Sequence, residues 1–512
     1  MCTMDPKHKS SKPPSTLTEG SGPREPKRDD KAEMELLERP FPWNTFSDST
    51  YRAIGTFILF MIAIPSMSVT VVLSRLLGNA LHAVLYEHNP VGRYILNILW
   101  AAQRSFFRWV GNFILLDPRD SSYLPWLLWC NFVQAYLFYL AYDRYQRHGG
   151  LEVSTFLIYH LLRIGPSQKM MAHQATLAHK EGHAKSGLFR DILSEKRKPL
   201  PKWIRNAFAD HLVAGISGIF YGTIPNHYAT AHNKIHHRWH NDTGDVHTNM
   251  DFDRSQFGSF VLYLPRFVGY WTGITPLILF WSRGEYQFFN GLLVGMVYYY
   301  GAGFYVWYKV GFGFYWAYML HPFLEMASVL CLVAYMWHMF SDEANPANQY
   351  VNSITILRGT YNVWNEDYHV VHHHEPFVHW SDAPASFENY LERYVECRAT
   401  VFGDCEQGKI IAWIFGCKWD DLADHFVDLQ YTFSNGEANK DKNKRFTVQQ
   451  IQEYERELGK KKDAEILEHH AEIRAMLLNR LTYHYRGSRK DQWRKLTERA
   501  RDFDKELDGK QS

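Results

Sequence analysis

Residues 121–142 read SSYLPWLLWCNFVQAYLFYLAY, 22 positions without a charge between Asp120 and Asp143. As a helix rising 1.5 Å per residue this run reaches about 33 Å, enough to cross the ~30 Å apolar core of a bilayer. Trp126, Trp129, Tyr136, Tyr139 and Tyr142 stand toward its ends, as interfacial aromatic belts do. Ala53–Ser74 is a second charge-free window of 22 residues, between Arg52 and Arg75. Its Pro65 is a kink that membrane helices tolerate. Tyr286–Tyr308 is a third, and Val310–Ser341 is apolar apart from His321 and Glu325. Two further windows are interrupted. Tyr94–Leu116 carries Arg104 and Arg108, which suits a helix lying in the interface, and Ser255–Ser282 carries Arg266. The expected fold is all-α: a multi-pass integral membrane helical bundle of about four crossings, with a cytosolic helical cap.

The flanks differ from this centre. Residues 1–50 are polar and basic, hold no apolar h-region, and are expected to form a disordered tail. Residues 51–385 form the membrane domain. Residues 386–512 are expected to be a solvated, mainly helical region, with Thr447 and Gln450 spaced as a capping box before a helical pattern. The mean hydropathy of −0.34 therefore averages unlike parts. With 56 Lys+Arg against 54 Asp+Glu, the net charge of +2 argues against a nucleic-acid partner held by a large basic surface. The six cysteines form no CxxC pair, which excludes a cysteine-based zinc module. The basic N-terminal tail and the basic stretch 185–205 should both face the cytosol, with two crossings between them.

Histidine is the chemically informative residue. Ten histidines lie between 173 and 247 and six between 338 and 379, out of 26 in the chain. His179-Lys-Glu-Gly-His183 places two imidazoles at i and i+4, on one helical face. His232-Asn-Lys-Ile-His236-His237 repeats the pair and adds a neighbour. His369-Val-Val-His372-His373 gives i, i+3 and i+4. Neutral imidazole suits iron, zinc, copper or nickel. Metal-bound imidazole also needs an acceptor on its other nitrogen, and Glu181, Asp242, Asp245, Glu366 and Asp367 are placed to serve. Gly182 weakens the expectation of a regular helix through the first box. His160 and His321 lie in apolar stretches, where a satisfied core histidine is expected.

The three boxes HxxxH, HxxxHH and HxxHH, with apolar segments between the second and third, resemble the membrane fatty-acid desaturase and hydroxylase superfamily over roughly residues 50–385. The third box, His369 to Pro376, matches HxxHHxxP. The segment from His236-His237-Arg238 through Asp242 and Asp245 to His247 is similar to that of acyl-CoA desaturases. Their lone histidine before the third box corresponds to His338, 31 residues before His369. The first box has three intervening residues, as in acyl-lipid desaturases, where acyl-CoA desaturases have four.

The resemblance implies a non-haem pair of iron ions on the cytosolic face. The expected ligands are His179, His183, His232, His236, His237, His338, His369, His372 and His373, with His173, His240, His247 and His379 in reserve. It implies a fatty-acyl or other lipid substrate, O2 as co-substrate, and residence in the endoplasmic reticulum if the source is eukaryotic. Neither an HPGG haem motif nor a GxGxxG after a strand is present. Electrons are therefore expected from a separate b-type cytochrome or ferredoxin with its reductase. The basic stretch 185–205 could dock such a carrier or simply anchor the topology. Desaturation leads hydroxylation on the second-box resemblance. A zinc hydrolase needs only three protein ligands and a water, and would leave most of the clustered histidines unused. A metal transporter or sensor would need ionisable residues lining a path through the spans.

Overall fold

The computed structural model describes residues 48–184, 188–189, 213–242, 244–345, 348–435, 451 and 464–484. The N-terminal tail up to residue 47, nearly all of the basic stretch 185–205 and the Thr447–Gln450 pair lie outside these residues. The described chain is mostly helical. The exception to the all-α expectation is a small parallel pair of strands, β1 (Thr355–Leu357) and β2 (Val401–Gly403), with Ile356 opposite Phe402.

A helical run from Asp48 leads into α1 (Ile64–His82). The side chain of Asn89 caps α2 (Pro90–Ile114), accepting from the Gly92 amide, and proline opens its first turn. Val91, Tyr94, Ile98, Trp109 and Phe113 of α2 are exposed, a contiguous apolar face of the kind water disfavours. A run from Pro118 ends in α3 (Gln134–His148), stopped by Gly149 at φ 69°. Then follow α4 (Val153–Ile164) and α5 (Lys169–His183), which carries the first histidine box. The second box lies on α6 (Tyr228–His236), a π-helical turn continued by His237–Trp239. The Ser255–Ser282 window is not one helix. It breaks into α7 (Phe257–Trp271) and α8 (Ile274–Ser282) at Gly273, which sits at φ 78°. At 15 and 9 residues these reach about 22 and 14 Å, too short to cross. Arg266, which interrupts the window, is buried and holds both oxygens of the Asp251 carboxylate. Next come α9 (Tyr286–Val310) and α10 (His321–Trp337), the latter continuing a run from Phe312. The third box is α11 (His369–His374), and α12 (Ala464–Thr482) is the last described helix.

Two helical runs among the described residues are long and apolar enough to cross a membrane, Pro118–His148 and Phe312–Trp337. This is fewer than the expected four. The other windows do form helices, but α9 carries six tyrosines with Gln287 and Asn290, and α1 carries Arg75 and Asn79.

Two glycines decide where the boxes sit. A Cβ on Gly182 would come within 2.3 Å of Tyr228 Cβ, and one on Gly295 within 1.9 Å of the Pro225 carbonyl. Glycine at both positions lets α5 and α9 close onto the start of α6. The expected weakness at Gly182 is thus a packing contact, and α5 runs intact through His183. Around this crossing, Leu177, Ile235, Tyr335 and Met336 join one buried core. That core also takes in Phe402, Ile410, Ile414, Ile473, Leu477 and Leu481. The sequence boundary at residue 385 is therefore not a structural break, and much of the region beyond it is buried.

Candidate metal centre

The three boxes and His338 converge in two buried groups. His179, His183, His232, His237 and His372 bring their ligand nitrogens within 4.8 Å of one another, and so do His236, His338, His369 and His373. Local winding sorts them. In the π-helical turn of α6 the side chains of His232 and His237 meet, their Nε2 atoms 3.0 Å apart, while His236 turns to the other group. On α11 His369 and His373, one turn apart, meet at 3.1 Å, while His372 points to His237 at 2.9 Å. His179 Nε2 lies 2.7 Å from His232 Nε2 and 3.2 Å from His183 Nε2. His338 stands just past the end of α10, its Nε2 3.2 Å from His236 Nε2 and 3.3 Å from His369 Nε2.

The protons on these rings can be placed from their acceptors. His236 Nδ1 donates to Asp245 Oδ2 at 2.6 Å, and His338 Nδ1 donates to the Asn352 carbonyl at 2.9 Å. His179 Nδ1 faces Glu366 Oε2 at 3.2 Å. With the proton on Nδ1, each Nε2 presents a bare lone pair. His236 and His338 thus aim two lone pairs at one point. Burial, reinforced by neighbouring imidazoles, pushes His183, His232, His237, His338, His369, His372 and His373 well below the ordinary histidine range, so they stay neutral. Metal–nitrogen bonds of ~2.05 Å at tetrahedral angles give nitrogens ~3.3 Å apart, close to the spacings here. Converging neutral donors of this kind fit a pair of metal ions.

The carboxylates hold the groups from outside. Burial raises the Asp245 carboxyl, but His247 and His236 outweigh it and leave it well below the usual carboxylate range. Burial likewise works against Glu366, whose contacts with Lys180 and His179 bring it down to about 2. Glu181 works on the backbone. It accepts the Val213 and Ala214 amides at 2.9 and 3.0 Å, tying α5 to the chain that leads into the second box. Asp367 turns to Gln407 at 3.0 Å, and burial raises it to about 7. The backbone of Asp242 closes a turn on the Trp239 carbonyl.

The reserve histidines separate. His247 lies beside Asp245 and His236, and His240 Nδ1 is 3.3 Å from His373 Nδ1. His173 and His379 are elsewhere: His173 stacks on Trp126, its ring centroid 3.6 Å away, and His379 bonds Asp120 at 3.0 Å. His160 and His321 form a third buried set with Glu325. There Arg163 pairs with Glu325 and donates to His160 Nδ1, while His160 Nε2 meets the Ala317 carbonyl at 3.0 Å. A guanidinium already fills the place a cation would take.

A cavity of about 100 Å³ opens against both groups, walled by Thr176, Tyr228, Phe267, Trp271, Leu330 and Val333. Trp337 stacks on His369, with centroids 4.0 Å apart. Sequence reading singled out none of these wall residues, nor Lys180, because their signal is an apolar or charged side chain at ordinary helical spacing. Residues 154–402 match the family model described as fatty acid desaturase. No curated protein and no solved structure gives a significant match.

Proposed function

Since residues 154–402 are a fatty acid desaturase domain, we propose that the protein desaturates an aliphatic lipid chain, using O2 at a histidine-held pair of non-haem irons. The observation that carries this reading is the convergence of nine buried imidazoles in two groups beside an apolar cavity. His179, His183, His232, His237 and His372 would hold one ion, and His236, His338, His369 and His373 the other. Such a pair supplies reduction of O2 and removal of hydrogen from an unactivated C–H bond, chemistry that no side chain can perform. Phe267, Trp271, Leu330 and Val333 would take the alkyl chain and exclude water from the reacting position. Glu366 and Asp245 hold the facing imidazoles in the Nδ1–H tautomer, which directs Nε2 inward. Loss of two hydrogens gives a double bond. Capture of one oxygen gives an alcohol, and a lipid hydroxylase is the second reading because it starts from the same C–H cleavage.

The two long apolar helices support a membrane setting. We read the protein as multi-pass, with about four crossings, histidines on the cytosolic face, and the endoplasmic reticulum as its membrane in a eukaryote. A b-type cytochrome or ferredoxin with its reductase would supply the electrons. The test is lipid profiling of cells expressing the protein, with and without O2, beside elemental analysis of the purified chain. Two irons per chain and an O2-dependent lipid product lacking two hydrogens are expected. One zinc per chain and an O2-independent hydrolysis product would discard the reading.

A further inference from the structure

We infer that α12, the last described helix, through Arg254 and Arg480, positions the four-histidine group, and that this group depends on it while the five-histidine group does not. The inference rests on the metal reading above. Helix α12 lies beyond the residues that match the desaturase family. It is nonetheless keyed into the core by Ile473, Leu477 and Leu481, all buried.

The link runs through Arg254, whose side chain is fully buried. Its Nε donates to the Met339 carbonyl, next in the chain after His338. Its Nη1 donates to the carbonyls of Asn249 and Phe252 at 3.3 and 3.2 Å. Its Nη2 reaches the carbonyls of Arg480 and Tyr483, where the last turn of α12 ends. Two backbone bonds run beside it: the Arg254 amide to the Leu481 carbonyl at 2.9 Å, and the Ser341 amide to the Arg480 carbonyl at 3.0 Å. The final carbonyls of a helix have no partner inside it, and here a buried guanidinium takes them. Removing α12 would take two acceptors from that buried guanidinium and loosen its hold on the chain after His338.

A second arm reaches the ring of His338. Its Nδ1 donates to the Asn352 carbonyl. The turn that ends in Asn352 is held by Thr400, whose hydroxyl donates to the Val351 carbonyl at 2.8 Å and whose amide donates to the Tyr350 carbonyl at 2.9 Å. Arg480 of α12 donates to that hydroxyl at 3.4 Å and to the Arg398 carbonyl at 2.8 Å. So α12 holds both the backbone after His338 and the acceptor that orients its imidazole. His338 belongs to the four-histidine group. The five-histidine group has its own anchors in Glu366 and Glu181. Arg254 and Arg480 are positioning residues, since neither is among the converging nitrogens.

The experiment is cobalt(II) titration and iron analysis of the purified full-length protein beside Arg254→Met, Arg480→Met and a chain ending at residue 463. The wild type should bind two ions. Losing an outer hydrogen-bond partner weakens a metal site about 10–100-fold. Arg480→Met acts one step further out, through Thr400, and should weaken one of the two cobalt sites by roughly 10-fold, the lower end of that range, and leave the other unchanged. Arg254→Met and the shortened chain should retain close to one ion per chain. Thermal melting is recorded in parallel, and Arg480→Met, whose substitution leaves the Arg254 hub in place, decides the matter if the harsher variants fail to fold. Equal weakening of both sites, or two ions bound as tightly as in the wild type, would overturn the inference. A wild type that binds fewer than two ions would instead count against the metal reading itself.

Discussion

His236 and His372 stand in different groups, which gives their removal different expected costs. His236 is one of four, and its Nδ1–H also satisfies the buried Asp245 carboxylate. His372 is one of five. His236→Ala should empty its site and take one partner from the buried Asp245 carboxylate, which keeps its contacts with His247, costing about 1.5–3 kcal/mol of stability. His372→Ala leaves four imidazoles behind, and should weaken metal binding without a comparable loss of stability. Either variant should abolish the lipid product while the protein still reaches the membrane; iron analysis, melting and product assay check this, and an active His236→Ala protein would overturn the site. A gentler test concerns His173. Burial lowers its imidazole to about 4, so the folded state keeps it neutral while the unfolded chain titrates near 6.5. Its contribution to stability is full above about pH 6.5 and is lost as pH falls toward 4, reaching about 2 kcal/mol at pH 5. His173→Phe should keep the stack on Trp126 and narrow the difference in melting temperature between pH 7.5 and pH 5. An unchanged difference would mean that His173 is already charged in the folded protein.

Among elements, the pairing of α4 with α10 sets how the first box meets His338, since α4 leads into α5 and α10 ends at that histidine. Arg163 of α4 and Glu325 of α10 are paired with no exposed side-chain surface. Breaking a buried pair on one side costs about 3–5 kcal/mol, whereas replacing both partners with apolar residues is often near neutral. Glu325→Leu should therefore be strongly destabilising and Arg163→Met/Glu325→Leu close to wild type. Denaturation of the single and double variants measures this, and additive losses would show that the two charges are not coupled. Elements also mark what the sequence could disclose. Histidine spacing showed which residues gather, because i, i+4 repeats survive any helical context. It could not show how they divide, because that follows from the π-helical winding of α6, where His232 and His237 share a face. Gly182 read as a weak point in a helix because its reason, Tyr228, lies 46 residues away on another element. The break at Gly273 was foreshadowed only by Arg266. The apolar stripe of Ile473 and Leu477 was visible, but its partners are distant in sequence, and so the C-terminal region read as solvated.

On the scale of the whole molecule, the converging nitrogens come from residues 179 to 373, and the unfolded chain cannot gather them. Ions that bind only the folded state stabilise it by RT ln(1 + [L]/Kd), about 4 kcal/mol per site at a thousandfold excess over Kd. For a body of more than 300 residues 1 kcal/mol moves the melting temperature by about 1–2 °C. Filling both sites with iron(II) should therefore raise the melting temperature of the chelator-stripped protein by on the order of 10 °C or more. In His236→Ala the rise should fall by about half. The metal-free protein should still fold, because its core of Leu177, Ile235, Tyr335, Phe402 and Leu477 closes around the histidines without help from a ligand. It would carry many neutral imidazoles with facing lone pairs, a repulsion that iron relieves and that protons relieve only at the cost of burying charge. Stripping the metal should accordingly make acid unfolding begin at a higher pH than in the iron-loaded protein. Calorimetry of the two forms across pH 5–8 tests both statements together. Coincident melting curves for the stripped and loaded forms would mean that the histidine groups hold no metal, and that the core alone accounts for their convergence.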